Sequence, residues 1–293
     1  MSVSSTWLRA ATVISAGALA LSSVGIASAA SPKASKNTAA AALVPAKYKS
    51  GITVATDATY APDEYVDGNG HIVGFDVDLI NAIGTTLGIS VTTQSATFDN
   101  IIPGIQAGNY DVGNSSFTDN KTRQASVNFV DYFQAGEGFY TKKGTKGAPT
   151  TLATLCGSSV AVESGTVEES DALAQKAKCK GGKTVTVNSF QTQTEADLAV
   201  RNGSSKVGFA DSQVAGYIVA QSHGTFVLSG KPFGVAPYGI ATAKTADGRN
   251  LALAIQKAIQ VLIDNGVYKA ILTKWGVTAG GIAKSKIVLN GGK

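Results

Sequence analysis

Segments with strand character alternate with segments of helical spacing along the chain, and this alternation restricts the fold more than any other feature. Residues 52–56 (ITVAT) form an apolar, β-branched run, and residues 77–87 carry apolar side chains at helical spacing before a glycine. Another strand pattern follows at 89–92, and the alternation resumes with a strand at 160–162 and a helix at 166–177. Because strands that alternate with helices form mainly parallel sheets covered on both faces, we predict an α/β fold.

Two stretches of the chain resemble each other. Residues 98–113 and 194–211 both run from a helical pattern through a glycine-containing turn into a strand, and Val112 and Val207 occupy matching places 95 residues apart. Chance similarity in a chain with 33 glycines is the alternative. A true repeat predicts two similar lobes, each with polar residues at the carboxyl edge of its strands, where open α/β sheets bind ligands.

The N-terminal residues have the pattern of an export signal. Residues 1–29 contain a polar start, Arg9, an Ala/Val/Leu-rich run and a small-residue cleavage motif. A membrane anchor is disfavoured because serine and glycine interrupt the apolar run. With no cysteine near the cleavage motif, we expect an exported, periplasmic or extracellular protein that is not a lipoprotein. Residues 30–50, rich in Ala, Ser and Lys, are expected to form a flexible leader.

Charge and hydropathy exclude two classes of protein. The 293 residues include 25 Lys and Arg against 20 Asp and Glu, a formal net charge of +5. The basic residues are dispersed rather than gathered into a stripe, which disfavours nucleic-acid binding. Because 44% of the residues are apolar, the chain can bury a core, and this excludes intrinsic disorder.

Cys156 and Cys179 are the two cysteines of the chain. A metal or redox pair is the functional alternative, but 22 residues separate them and no further ligand lies near them in sequence. Because an exported chain meets an oxidising compartment, we predict a structural disulfide between them.

The sequence offers little that resembles a catalytic or cofactor motif. His71 and His223 lie in glycine-flanked, loop-like segments without a cluster of metal ligands or triad partners nearby. No G-x-S-x-G elbow occurs, and residues 182–184 (GKT) lack the first glycine of a phosphate loop. We therefore expect no metal and no cofactor, and a binding protein rather than an enzyme.

Two charged residues suit a small zwitterion. Arg123 follows residues 114–118 (NSSFT) at the carboxyl edge of a predicted strand, and a guanidinium with neighbouring hydroxyl groups is a natural partner of a carboxylate. Asp211 stands at the matching strand edge of the second half, where it could accept an α-ammonium group. The alternatives are that Arg123 lies on a helix surface and that Asp211 is a helix N-cap.

Several motifs, in order along the chain, resemble those of the bacterial extracellular solute-binding proteins of family 3, the polar amino-acid type that serves ABC importers. The strongest is residues 74–83 (GFDVDLINAI), which is similar to the family signature. Residues 56–62 (TDATYAP) resemble its first strand and pocket aromatic, and residues 111–123 match its strand, hydroxyl and arginine arrangement. Residues 264–269 and 274–276 are similar to its closing helix pair.

The resemblance implies a type II, two-lobed periplasmic-binding-protein-like fold in which each lobe is a mainly parallel sheet flanked by helices. Lobe 1 would comprise residues 51–134 and 238–293, and lobe 2 residues 139–233. The crossings, at about 134–138 and 234–237, are small-residue stretches able to absorb hinge rotation. It further implies a monomer that traps an amino acid between the lobes and delivers it to an ABC transporter permease, meeting the membrane only through that partner.

The resemblance also implies which residues contact the ligand. Tyr60 and Phe98 would flank its side chain, and Asp211 would accept its ammonium group. Its carboxylate would be held by hydroxyl groups, a guanidinium and the backbone of a helix start, contributed by Ser115, Ser116, Thr118, Arg123, Gly165, Thr166 and Val167. Because Val167 stands where many members have a hydroxyl residue, only its backbone is expected to take part.

Acidic residues favour a basic ligand. Family members usually have an aromatic residue after Tyr-x-Pro, whereas Asp63 and Glu64 follow Pro62 here. Glu163 falls where the family reaches the distal end of the ligand, and with Asp57 it would pair with a cationic group. We predict arginine or lysine in preference to glutamate; alternatively, Glu163 faces solvent or pairs with a protein lysine. A dehydratase-like enzyme and a ligand-sensing domain share this fold and are the alternative functions.

Overall fold

The computed structural model describes residues 32–293, so the predicted export signal at 1–29 lies outside the described residues. The α-helices are α1 Thr38–Ala41, α2 Phe75–Leu87, α3 Phe98–Ala107, α4 Lys121–Gln124, α5 Val167–Lys178, α6 Gln193–Asn202, α7 Ser212–Gln221, α8 Ala246–Asp264 and α9 Val267–Trp275. The strands are β1 Gly51–Thr56, β2 Thr59–Tyr60, β3 Glu64–Val66, β4 Ile72–Val73, β5 Ser90–Ser95, β6 Val112–Gly113, β7 Val127–Lys142, β8 Ser159–Glu163, β9 Thr186–Phe190, β10 Val207–Asp211 and β11 Phe226–Ala243. None of the helices within residues 32–293 has both the length and the apolarity to cross a membrane.

The main sheet has parallel strands at both ends and two long antiparallel strands in its centre. Its order is β5-β1-β6-β11-β7-β10-β8-β9. Strand β1 pairs in parallel with β5 and β6, and β8 pairs in parallel with β9 and β10. The predicted α/β architecture, with mainly parallel strands and flanking helices, is confirmed. The carboxyl ends of β1, β8 and β10 all point toward the middle of the molecule, where a ligand can be reached from either side.

The long strands β7 and β11 carry the chain between the two halves of the sheet. They pair along most of their length, with register shifts near Phe233 and between Tyr238 and Gly239. The predicted crossings at 134–138 and 234–237 lie inside these strands, where Ala135 pairs with Ala236. The crossings are therefore paired strands interrupted by bulges rather than loops. Their role as hinges, and the lobe boundaries used below, stay predictions.

Each half of the sheet has its own apolar core. In lobe 1, Leu79 and Ile83 of α2 pack in one cluster with Ile255 of α8. In lobe 2, Val160 of β8 and Phe209 of β10 belong to a separate cluster. Both faces of each half are covered by helices, as the buried strands require.

The two similar stretches of sequence, residues 98–113 and 194–211, correspond to two similar helix–strand units. Helices α3 and α6 each contain 10 residues. They end at the left-handed glycines Gly108 and Gly203, which are 95 residues apart like Val112 and Val207. A left-handed C-cap favours glycine because a Cβ would be strained there.

The predicted flexible leader is wrong for the described residues 32–50. Ala40, Val44 and Tyr48 are at most 4% exposed and belong to the lobe 1 core, and the Asn37 N–H donates to the Thr86 carbonyl oxygen at 2.9 Å. The Ala- and Lys-rich composition suggested a linker, but α1, the turn after it and the 3-10 helix Ala46–Tyr48 each place an apolar side chain in the lobe 1 core.

The predicted disulfide between Cys156 and Cys179 is confirmed, with their Cα atoms 5.6 Å apart. It joins the residue after a 3-10 helix, Leu152–Leu155, to the C-terminal end of α5. In the chain-entropy view, closing a loop of this length stabilises the fold by about 3 kcal/mol.

Candidate functional site

A narrow cavity lies between the lobes, where β1, β8 and β10 end. Its walls are formed by Asp57, Tyr60, Phe98, Ser115, Ser116, Thr118, Arg123, Glu163, Thr166, Val167, Glu168 and Asp211. The structure thus brings the predicted contact residues together around one space, except Gly165, whose carbonyl oxygen accepts a hydrogen bond from Arg123. Glu168 is the lining residue that sequence reasoning missed. Contact of these residues with a ligand stays a prediction.

Arg123 lies between the two lobes rather than on a free helix surface. Its guanidinium donates to the Thr118 carbonyl oxygen at 3.0 Å and to that of Gly165 at 2.9 Å, and it lies 5.2 Å from the centre of the Phe98 ring. Burial lowers the pKa of Arg123, whereas Glu168 and Asp211 raise it. A guanidinium has five N–H donors, so these two bonds leave further donors for a ligand.

The start of α5 faces the same cavity. Gly165, with φ 80°, turns the chain into the helix, and the Thr166 hydroxyl accepts from the Glu169 N–H at 3.1 Å as an N-cap. Val167 and Glu168 are the first two helical residues, whose N–H groups have no acceptor within the helix. The helix dipole and these donors favour an anionic group at this point.

Asp211 points into the site although it occupies an N-cap position. It precedes α7 but makes no capping hydrogen bond with its side chain. Instead, the Tyr60 hydroxyl donates to its Oδ2 at 3.0 Å and accepts from its N–H at 2.9 Å. Burial raises the pKa of Asp211 to about 6, against the opposing effects of Tyr238, Tyr60 and Arg123.

Asp57 and Glu163 form an acidic end of the cavity. Asp57 accepts hydrogen bonds from the Thr59 hydroxyl at 2.6 Å and the Phe98 N–H at 3.0 Å. Glu163 is 2% exposed, its Oε1 has no hydrogen-bond partner among the described residues, and it makes no ion pair with a lysine there. Burial raises the pKa of both carboxyls, and the Asp57 carboxyl further raises that of Glu163. Neither alternative interpretation of Glu163, solvent exposure or a lysine pair, fits this environment.

The hydroxyl groups of Ser115 and Ser116 are engaged by buried acids behind the cavity. Ser115 donates to Glu64 Oε1 at 2.9 Å, and Ser116 donates to Asp63 Oδ2 at 2.9 Å. In this arrangement both hydroxyl protons point away from the cavity. The serines line its wall, but the geometry gives Thr118 and Arg123 better access to a ligand carboxylate than their hydroxyl groups have.

Asp63 and Glu64 depart from the family pattern in sequence, but their position in the core was not predicted. Both are fully buried next to Asp76, and burial raises the pKa of each of the three carboxyls, that of Asp76 to about 6. The signal that could have found them is the run of two acids directly after Pro62, at a place the family fills with an aromatic side chain.

Hydrogen bonds between the lobes hold the site closed. Besides the bonds of Arg123 and Tyr60, the Gln193 N–H donates to the Thr59 hydroxyl at 3.2 Å. The Gln213 side-chain amide, from α7, donates to Asp63 Oδ2 at 2.8 Å and to the Tyr238 hydroxyl at 2.6 Å. Both lobes therefore contribute to each part of the cavity wall.

Comparison with known proteins agrees with this geometry. Residues 52–278 match the family described as bacterial extracellular solute-binding proteins, family 3. The arginine-binding protein ArgT of Corynebacterium glutamicum is 32% identical over 232 residues, which cover 78% of this chain and 75% of that protein. Among solved structures, an ancestral arginine-binding protein bound to arginine has a TM-score of 0.72 and 33% identity, covering 76% of this chain and 97% of that chain. An ancestral amino acid-binding protein, a precursor of cyclohexadienyl dehydratase, has a TM-score of 0.69 and 30% identity, covering 76% and 94%.

Proposed function

The chain belongs to the bacterial extracellular solute-binding proteins of family 3, and on that basis we propose that it binds a basic amino acid, arginine in preference to lysine, and delivers it to the permease of an ABC importer. The ligand is enclosed in the cavity between the lobes.

The imbalance of charge in the cavity wall is the observation that carries this proposal. The wall contains four carboxyl groups, those of Asp57, Glu163, Glu168 and Asp211, but one guanidinium, that of Arg123. A zwitterion would use Arg123 and one carboxylate, which leaves an excess of buried acid. A ligand with an additional positive charge neutralises this excess, whereas glutamate would increase it.

The arrangement assigns each group of arginine a partner. The α-carboxylate binds Arg123 and the start of α5, and the α-ammonium group binds Asp211. The guanidinium lies between Asp57 and Glu163, whose oxygens can accept its planar fork of donors. A lysine ammonium is a point charge that satisfies fewer of these acceptors, so arginine binds more tightly.

Closure of the lobes follows from the same contacts. The residues of lobe 1, among them Asp57 and Arg123, bind the ligand first, and closure adds Glu163, Asp211 and the α5 start. The ligand selects the closed form because it makes these additional contacts only there. The closed form is the one presented to the permease. We further propose that the protein is exported, carries no lipid anchor and acts as a monomer.

Isothermal titration of refolded, ligand-stripped protein against the twenty amino acids tests the proposal. We expect the tightest binding for arginine, weaker binding for lysine, and no measurable binding for glutamate. Binding of glutamate with no response to arginine or lysine would overturn it. Citrulline, which keeps the shape of arginine but lacks its charge, is the matched control and should bind at least tenfold more weakly, because charged hydrogen bonds contribute about 1.5–3 kcal/mol each.

A dehydratase on this fold is the second candidate, since Glu163 and Glu168 are buried acids with raised pKa that could donate a proton. The wall has one cation for four carboxyls, which disfavours a substrate with two carboxylates such as prephenate. Incubation with prephenate or arogenate should therefore give no product, and turnover of either would make the protein an enzyme.

A further inference from the structure

The last residues of the chain form a segment that lies outside the matched family region, which ends at residue 278. We call residues 287–293 the C-terminal tail. It runs along the N-terminal half of β7, on the side that β11 does not pair with: the Asp131 N–H donates to the Val288 carbonyl oxygen at 2.9 Å, and the Asn290 N–H to that of Phe129 at 3.0 Å. The Phe129 N–H in turn donates to Asn290 Oδ1 at 2.8 Å. The tail thus covers a sheet edge and ends close to the loop that carries Arg123.

Two hydrogen bonds join the tail to that loop and a third links the two loop residues that make them; we call the three bonds the Gly292 clamp. The Gly292 N–H donates to Asp119 Oδ2 at 2.8 Å. The Gln124 side-chain amide donates to the Gly292 carbonyl oxygen at 3.1 Å and to Asp119 Oδ1 at 2.8 Å. Asp119 and Gln124 stand on either side of Arg123, and both are buried.

The loop needs such support because α4, which contains Arg123, is a single turn of 4 residues. One turn is unstable by itself, since nucleation fixes several residues for one hydrogen bond. Within the loop, α4 is stabilised by its N-cap, the Asn120 side chain, which accepts a hydrogen bond from the Arg123 N–H at 2.9 Å. The Gly292 clamp supplies the other attachment, from outside the loop.

The fit at Gly292 is tight. A Cβ added there would lie 1.8 Å from the Asp119 carbonyl oxygen, which is backbone and cannot move aside easily. Next to the clamp, burial and the Asp119 carboxyl raise the pKa of Asp131 to about 8, so Asp131 keeps a proton at neutral pH. This proton lets the two carboxyls lie side by side under the tail without mutual repulsion.

We propose that the C-terminal tail is a positioning element of the ligand site: through the Gly292 clamp it fixes the Asp119–Gln124 loop and so aims the Arg123 guanidinium at the ligand carboxylate. The proposal rests on the proposed function, because it assumes that Arg123 binds the carboxylate of arginine. Gly292, Gln124 and Asp119 act through Arg123 and do not touch the ligand; none of them lines the cavity.

A double-mutant cycle tests the proposal by isothermal titration with arginine. Gln124→Met keeps the length of the side chain and removes the amide of the clamp, and Gly292→Ala forces the tail away from Asp119. Each should weaken arginine binding about tenfold, while the exposed neighbour Lys286→Ala should leave it unchanged. In an Arg123→Lys background, which has no guanidinium to aim, Gln124→Met should have little further effect.

The outcomes separate the two proposals. If the wild-type protein does not bind arginine, the proposed function fails, irrespective of the tail. If it binds arginine but Gln124→Met has no effect, or the same effect in both backgrounds, the tail merely stabilises the fold and the positioning role is wrong. Should Gly292→Ala fail to fold, Gln124→Met alone decides, because it leaves the backbone of the tail in place.

Discussion

The two ends of the cavity are built in different ways. At the carboxylate end, Thr118 and Arg123 are close in sequence and lie on one loop that carries its own N-cap. At the acidic end, Asp57 directly follows β1 and Glu163 is the last residue of β8, so the two come from different lobes. In the proposed function the first end binds a group that all amino acids share, and the second binds what distinguishes one side chain from another. The proposed selectivity therefore requires residues of both lobes.

The two ends also differ in the hydrogen bonds and pKa values that their charged groups have without a ligand. Arg123 donates to two carbonyl oxygens and stays charged, so a carboxylate adds to existing hydrogen bonds. Burial raises the pKa of the Asp57 and Glu163 carboxyls, and a cationic ligand bound there would favour their charged form and lower these pKa values. The carboxyls of Asp57, Glu163 and Asp211 should therefore couple ligand binding to pH, whereas Arg123 should not.

Removing the guanidinium of the carboxylate end should have the largest effect. Arg123→Ala is expected to weaken arginine binding by about 100-fold or more, because two charge-assisted hydrogen bonds contribute about 1.5–3 kcal/mol each. The melting temperature should change little, because water can replace the guanidinium as the hydrogen-bond donor to the Thr118 and Gly165 carbonyl oxygens. Isothermal titration measures the affinity for arginine, and thermal melting measures the stability. The exposed Arg249→Ala is the matched control, and equal affinity of the two variants would show that Arg123 does not bind the carboxylate.

Neutralising the acidic end should have the next largest effect and should change selectivity. Glu163→Gln is expected to weaken arginine binding by about 10–100-fold, because one charged acceptor of the guanidinium is lost. Binding of neutral glutamine should stay the same or become tighter, so the ratio of the two affinities falls. The exposed Asp247→Asn removes one negative charge elsewhere and should change neither. A Glu163→Gln protein with unaltered preference for arginine would contradict the assignment of this end.

Changing the pH should have a smaller effect, of opposite sign on affinity and on stability. Below pH 7 the affinity for arginine should fall, because protons then compete with the ligand for Asp211, whose pKa is about 6, and for Glu163, whose pKa is raised by burial. The decrease is up to about tenfold per pH unit for each proton released. Titrations in buffers of different ionisation enthalpy count the protons, and Glu163→Gln should release fewer. A flat affinity from pH 5 to 8 would contradict the proposed contacts of Asp211 and Glu163 with the ligand.

The free energy of unfolding of the ligand-free protein should change in the other direction. The folded-state pKa of Asp211 and Asp76 is about 6 and that of Glu137 about 8, all above their ordinary values near 4. A group with a raised pKa stabilises the fold below its unfolded pKa and loses this contribution as pH rises through the folded one. Stability should thus decrease between about pH 4 and pH 8, as melting curves at intervals of one pH unit would measure, and saturating arginine should reduce the decrease.

Local patterns predicted much of this molecule. The strand and helix alternation, the two cysteines and the motif around Arg123 each depend on residues close in sequence or on a chemical preference that holds in any fold. The same reasoning failed for residues 32–50, because composition describes an isolated segment and not the apolar surface of α2 that Ala40 and Tyr48 cover. It missed Glu168 because a glutamate in the first turn of a helix is ordinarily an exposed partner of the dipole.

The sequence by itself determined the α/β fold, the disulfide partners and which side chains could form an amino-acid site, since periodicity and residue chemistry are local properties. Only the tertiary structure decided that Glu163 meets Asp57, that Ser115 and Ser116 donate to buried acids, and that Gly292 supports the loop of Arg123. These pairs are brought together by packing between the lobes and across the sheet. Because these residues are far apart along the chain, by 173 residues for Gly292 and Asp119, no local sequence pattern predicts their contacts.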